Sequence, residues 1–120
     1  QQFDQIVLAC LSLGTVVAFD VLKQFANRYT ISYFFTAGCP LAKLRYVGVR
    51  PPDLGAITPA DVAHWYNLYD TNDLVADAIG PQLPDYRLHD IYVHVGDDPI
   101  SAHDYFNNDE TLDLLADAMR

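Results

Sequence analysis

Positive charge is scarce in this chain. Seven Lys and Arg stand against sixteen Asp and Glu in 120 residues, giving a formal net charge of −9 and a pI near 4.4. Clustered cations are what attach a protein to phosphate backbones or anionic headgroups, so the charge balance speaks against nucleic acid and against an anionic membrane surface as partners. Cysteine is nearly missing too. Cys10 and Cys39 are the only two, both in or beside apolar runs, which reads as buried free thiols and not as a disulfide framework. Two thiols are too few to assign a compartment.

Long apolar runs are lacking as well. The uncharged stretch Ile6–Phe19 holds 14 residues, short of the roughly 20 that span a bilayer, and Gly14 and Asp20 interrupt or bound it. The N-terminus has no basic region followed by a small-residue cleavage site, so no signal peptide is legible. It also has no initiator Met, from which a processed, excised or partial chain is expected. What is present is a 51% apolar composition with eight Tyr and six Phe, enough for one folded domain with its own core.

The organising stretch runs from Gln5 to Leu22. Ile6–Leu11 is an apolar run suited to a strand buried on both faces, and helical character resumes beyond Gly14. Between them lies Cys10-Leu11-Ser12-Leu13-Gly14, a small residue, any residue, Ser, any residue and Gly, which is the spacing of a nucleophile elbow. A serine hydroxyl is a poor nucleophile unless a sharp turn presents it beside a base. Small flanking residues are expected to let strand and helix approach closely there. Read alone, the same residues also fit an ordinary strand and helix joined by a turn serine.

Further along, the pattern predicts a helix over 15–28 with Val16, Phe19, Leu22 and Ala26 on one face, then a strand over 29–37 ended by Gly38-Cys39-Pro40. Residues 41–63 read as a long connection suited to specificity or a lid, with Thr58-Pro59 opening a helix. A third strand is expected over 65–69, with Trp65 in the core, and a short helix over 74–79. A fourth strand is expected over 91–95, with Ile91, Val93 and Val95 on one face. Asn108 or Asp109 caps a last helix in which Leu112, Leu115 and Met119 share a face and residues 109, 110, 113 and 117 face water. Strand-helix alternation of this kind predicts an α/β fold, a mainly parallel sheet of about four strands with flanking helices.

Serine catalysis needs a nucleophile, a His and an orienting carboxylate, and the order here is Ser12, then Asp70 or Asp73, then His103, each just past a strand. Parallel sheets carry their functional loops at the carboxyl ends of their strands, which is where all of these fall. The backbone N–H of Leu13, the residue after Ser12, is an oxyanion donor in the same scheme. His64, His89 and His94 read as packing or solvent-facing residues. His89, His94, Asp97, Asp98 and His103 lack a tight ligand spacing, so no metal is assigned. Asp70-x-Asn72 opens like a calcium loop, but Val75 occupies the position that needs Gly. No cofactor is called for.

These segments together resemble the C-terminal half of an α/β-hydrolase of the lipase-like serine esterase group. The resemblance is carried by Ser-Leu-Gly-Thr-Val-Val-Ala-Phe-Asp-Val-Leu at 12–22, Phe-Thr-Ala-Gly-Cys-Pro-Leu at 35–41 and Trp-Tyr-Asn-Leu-Tyr-Asp at 65–70. Asn-Asp-Leu-Val-Ala at 72–76 and Ala-His-Asp-Tyr-Phe at 102–106 add to it. It implies Ser12 as nucleophile, Asp73 as acid with Asp70 the alternative, and His103 as base, acting on carboxylic esters of lipid-like or acyl character. The chain departs from the family pattern at Cys10, where Gly or Ala is usual, at Leu11, where His is usual, and at Leu74, where Pro is frequent. The resemblance also implies that residues 1–120 form one domain whose N-terminal half, with the second oxyanion donor, would precede Gln1. The strand at 5–11 is then expected to pair with that missing segment or with another copy of the chain. A second reading follows from the same departures: a non-catalytic α/β-hydrolase-like fragment serving as an interaction or assembly module.

Overall fold

The computed structural model describes residues 4–25, 28–44, 53, 61–83 and 87–120. Four strands, β1 (Val7–Leu11), β2 (Ile31–Ala37), β3 (Val62–Tyr69) and β4 (Leu88–Tyr92), form one sheet in the order β1-β2-β3-β4, and every neighbouring pair is parallel. Helix α1 (Leu13–Gln24) follows β1, and helix α2 (Asp109–Ala118) closes the described chain after two single-turn 3-10 helices at Ser101–His103 and Tyr105–Asn107. The α/β class and the parallel sheet predicted from the pattern are both present. No described helix is long and apolar enough to cross a membrane.

Each face of the sheet carries a core because parallel strands are covered on both sides. On one face α1 buries Thr15, Ala18, Phe19 and Leu22, residues at i, i+3, i+4 and i+7 that form one stripe of a 3.6-residue helix. Phe19 packs 6.0 Å from Trp65, which stands 5.2 Å from Phe34, ring centroid to ring centroid. Full burial of such side chains stabilises by roughly 1.5–3 kcal/mol each. On the other face Phe35, Leu68, Val93 and Tyr105 pack under Leu114, Leu115 and Ala118 of α2.

Several boundaries differ from the sequence expectation. Helix α1 starts two residues earlier and ends at Gln24, with Val17 and Phe25 exposed. The start of β2 moves from 29 to Ile31, and that of β3 from 65 to Val62. The fourth strand spans Leu88–Tyr92 and not 91–95, although Ile91, Val93 and Val95 do join the same core cluster. In α2 the inward stripe is Thr111, Leu114, Leu115 and Ala118, while Leu112 and Met119 face water. Asn108 caps this helix by accepting from Thr111 N at 3.0 Å. The helix expected at Thr58-Pro59 lies outside the described residues.

No helix forms over 74–79, and the reason is a buried polar chain. Trp65 Nε1 donates to Thr36 Oγ1 at 3.0 Å, and Thr36 Oγ1 donates to Asn67 Oδ1 at 2.9 Å. Asn67 Nδ2 donates to the Asp77 carbonyl at 2.9 Å and to Asp90 Oδ1 at 2.7 Å, while Asp90 accepts from the amides of Ile79 and Gly80. These bonds take the backbone groups that a helix would need for itself, and they tie the segment after Asp73 to the middle of the sheet. Among the described residues no buried side-chain polar atom is left without a partner.

Candidate active site

Ser12 stands between the end of β1 and the start of α1 with φ 54 and ψ −128, the only non-glycine residue of positive φ among those described. That backbone is costly for a residue with a Cβ and persists only where its surroundings hold it. Two contacts do so. Ser12 N donates to the Ala37 carbonyl at the end of β2 at 2.8 Å, and the Ser12 carbonyl accepts from Thr15 N at 3.0 Å and Thr15 Oγ1 at 2.6 Å. The strand-turn-helix context that a nucleophile elbow requires is therefore present, with Ser12 half-buried at its tip. Leu13 opens α1, where the first N–H groups have no intrahelical carbonyl to bond, so its amide is available as a donor.

Gly14 does not behave as the motif suggests. A Cβ built there meets nothing within 4 Å, so close packing of strand and helix makes no demand on it. The glycine that the site needs is Gly38, with φ +60, at the end of β2. A Cβ on Gly38 would lie 2.7 Å from His103 Cε1, 3.0 Å from His103 Nδ1 and 2.9 Å from Tyr105 Cε2. His103 is thus seated over the same strand end whose preceding carbonyl, that of Ala37, holds Ser12.

His103 Nδ1 lies 2.7 Å from Asp73 Oδ2. The imidazole is 27% exposed and the carboxylate fully enclosed. Asp73 Oδ1 accepts from Val75 N at 2.9 Å, and Oδ2 also accepts from the Tyr105 hydroxyl at 2.9 Å. Asp70, three residues earlier at the end of β3, is used differently. Its Oδ1 accepts from Asn72 N at 2.8 Å, and its Oδ2 from Val95 N at 2.7 Å and Gly96 N at 3.2 Å. Burial works to raise the Asp70 carboxyl, but these three amides together with nearby His94 outweigh it and hold the carboxyl below the usual aspartate value. The structure gives the His103 contact to Asp73 and makes Asp70 the anchor of the loop after β4.

The remaining candidates separate from this cluster. His94 is exposed, with Nδ1 3.7 Å from Asp70 Oδ2 and Nε2 3.3 Å from Asp97 Oδ1. His64 and His89 stack on Tyr33 and Tyr66 at 5.3 and 5.2 Å. Among the described residues no group of three or more His, Cys, Asp or Glu could hold a metal ion. Both thiols are free; burial pushes Cys10 up and Cys39 up to about 11, so neither supplies a thiolate nucleophile near neutral pH. Gly38 and Tyr105 are the site residues that sequence reasoning passed over. Both stood inside segments already singled out, but nothing in local spacing marks a glycine lying beneath a histidine 65 positions away. Compared with protein-family models, curated proteins and solved structures, the chain matches none.

Proposed function

We propose that this protein is a serine hydrolase that cleaves carboxylic esters, with Ser12 as nucleophile, His103 as general base and Asp73 as the orienting acid. The observation that carries the reading is the placement at the same end of three neighbouring strands: Ser12 in a strained strand-to-helix turn after β1, and His103, over Gly38 after β2, bonded to Asp73 after β3. In the reaction Ser12 Oγ attacks the ester carbonyl carbon while its proton passes to His103 Nε2. Asp73 accepts the hydrogen bond from Nδ1–H, fixes the tautomer and stabilises the imidazolium. The Leu13 amide stabilises the tetrahedral oxyanion. Collapse expels the alcohol, which takes the proton back from His103, and water repeats the sequence to release the acid.

Exposed apolar side chains flank each member of this set. Leu13 follows Ser12, Leu74 and Val75 follow Asp73, and Ile100 precedes His103 by three residues. Such a rim favours lipid-like or acyl substrates, oxygen esters or acyl thioesters, over polar ones. The test is hydrolysis of p-nitrophenyl acyl esters by the protein and its Ser12→Ala variant. Turnover lost in the folded variant supports the reading; turnover that survives Ser12→Ala sinks it.

One observation favours a second reading, an assembly module. Strand β1 is an edge of the described sheet, its residues carry no charge, and Leu13, Val17 and Val21 form an exposed stripe on the adjoining helix at i, i+4 and i+8. An uncovered apolar edge invites strand addition, and the occupant in this reading is a second copy paired antiparallel about a two-fold axis. Light scattering distinguishes the outcomes: a concentration-dependent dimer broken by Ala9→Pro supports it, and a stable monomer excludes it.

A further inference from the structure

The Tyr105 hydroxyl bonds to both residues of the aspartate pair that follows β3, the backbone amide of Asp70 and the carboxylate of Asp73. It accepts from Asp70 N at 2.9 Å and lies 2.9 Å from Asp73 Oδ2, the same oxygen that faces His103 Nδ1 at 2.7 Å. A phenol has a single proton. Because an amide N–H can only donate, the phenol oxygen must accept from Asp70, and its proton is left to point at Asp73. The polarity of the chain is fixed by the backbone of β3. The ring itself is wholly buried and stands edge-on to His103, with centroids 6.1 Å apart.

We propose that Tyr105 is a positioning residue for the acid–base pair: anchored by the Asp70 amide, it donates to Asp73 Oδ2, holding that oxygen against His103 Nδ1 and competing with His103 for its charge. Its catalytic consequence rests on the hydrolase reading, but the contact and its effect on the pair do not. A carboxylate oxygen that accepts two hydrogen bonds has less charge to offer either donor. Asp73 thereby orients His103 through an oxygen whose own direction is fixed by Tyr105. The charged and titratable groups around the hydroxyl are Asp73 and Asp70 from the loop after β3, His103 on its own segment, and His94, which faces Asp70 from beyond β4. Burial, followed by the Asp73 and Asp70 charges, raises the Tyr105 phenol far above its ordinary value, so it stays a donor throughout the working range.

The experiment compares the protein with Tyr105→Phe and with a protein carrying 3-fluorotyrosine at 105, whose more acidic hydroxyl keeps the shape. Two quantities are read: the low-field proton resonance of His103 Nδ1 and the pH profile of kcat/KM. With Phe the resonance moves to lower field because Asp73 becomes the stronger acceptor, and with fluorotyrosine it moves the opposite way. In Tyr105→Phe the acid limb of kcat/KM shifts upward by roughly half a unit to one unit, and kcat falls about tenfold with KM unchanged. If Phe at 105 prevents folding, the fluorotyrosine protein alone decides. A resonance unmoved by both substitutions overturns the proposal whether or not esters are cleaved. A moved resonance without any turnover in the unaltered protein overturns the hydrolase reading and leaves this one standing.

Discussion

Ser12, after β1, and the Asp73–His103 pair, whose ring lies over Gly38 after β2, stand at the same end of the sheet but are held there by different means. The Ser12 side is lightly built: β1 is an edge of the described sheet, Leu13 is exposed, Gly14 has open space beside it, and bonds to Ala37 and Thr15 keep Ser12 in its strained conformation. The Asp73–His103 side is densely bonded. Both carboxylates are enclosed, each with donors on both oxygens, and His103 is seated over a glycine that leaves no room for a methyl group. The contrast separates strain from order. Ser12 is presented by a backbone under strain, whereas Asp73 and His103 are set by overlapping hydrogen bonds, so the two sides should answer mutation differently.

The sharpest way to break the comparison is to replace the two aspartates one at a time. Asp73→Asn replaces the acceptor facing Nδ1 and is expected to lower kcat by about 10⁴-fold. Asp70→Asn should leave hydrolysis by the folded protein within a few-fold, yet cost about 2–3 kcal/mol in urea unfolding by placing an amide donor against backbone donors. Equal kinetic effects from the two would erase the distinction between them. Next comes Gly38→Ala, where a positive φ and the His103 ring both resist a methyl group. A stability loss of roughly 1–3 kcal/mol is expected, with about a hundredfold fall in kcat from the displaced imidazole.

A smaller effect should appear with pH. The folded carboxyl of Asp70 is held below its unfolded value of about 3.9, so its contribution is fully present above that pH and is lost as pH falls through the folded value. Urea midpoints should therefore decline below about pH 4 in the unaltered protein and decline less steeply in Asp70→Asn. The smallest effect belongs to the open side. Gly14→Ala is expected to stabilise by about 0.5–1 kcal/mol, because the residue is helical and its Cβ meets nothing. A destabilisation there would mean that the Ser12 side is as tightly packed as the other.

The elements that the sequence displayed best were those set by local pattern. The break between strand and helix after Leu11, the alternation of strands and helices and the cap at Asn108 all rest on neighbours close in the chain. Long-range bonds decided the rest. Asp70 and Asp73 look alike in sequence, and what divides them is the arrival of the Val95 and Gly96 amides from beyond β4. The apolar residues at 74–79 suggest a helix, but Asn67 and Asp90 claim their backbone. Strand β4 begins at Leu88 although His89 and Asp90 look like loop residues, because Asp90 is needed inside the network it completes. Gly14 satisfied the motif while Gly38 did the spatial work.

The most direct test of the central claim is peptide mapping of the folded protein after reaction with a fluorophosphonate. The account predicts modification at Ser12 alone, near one label per chain, and its loss in His103→Ala, since the hydroxyl is activated only by that imidazole. A folded protein that takes no label at Ser12, or takes it equally without His103, would contradict the account.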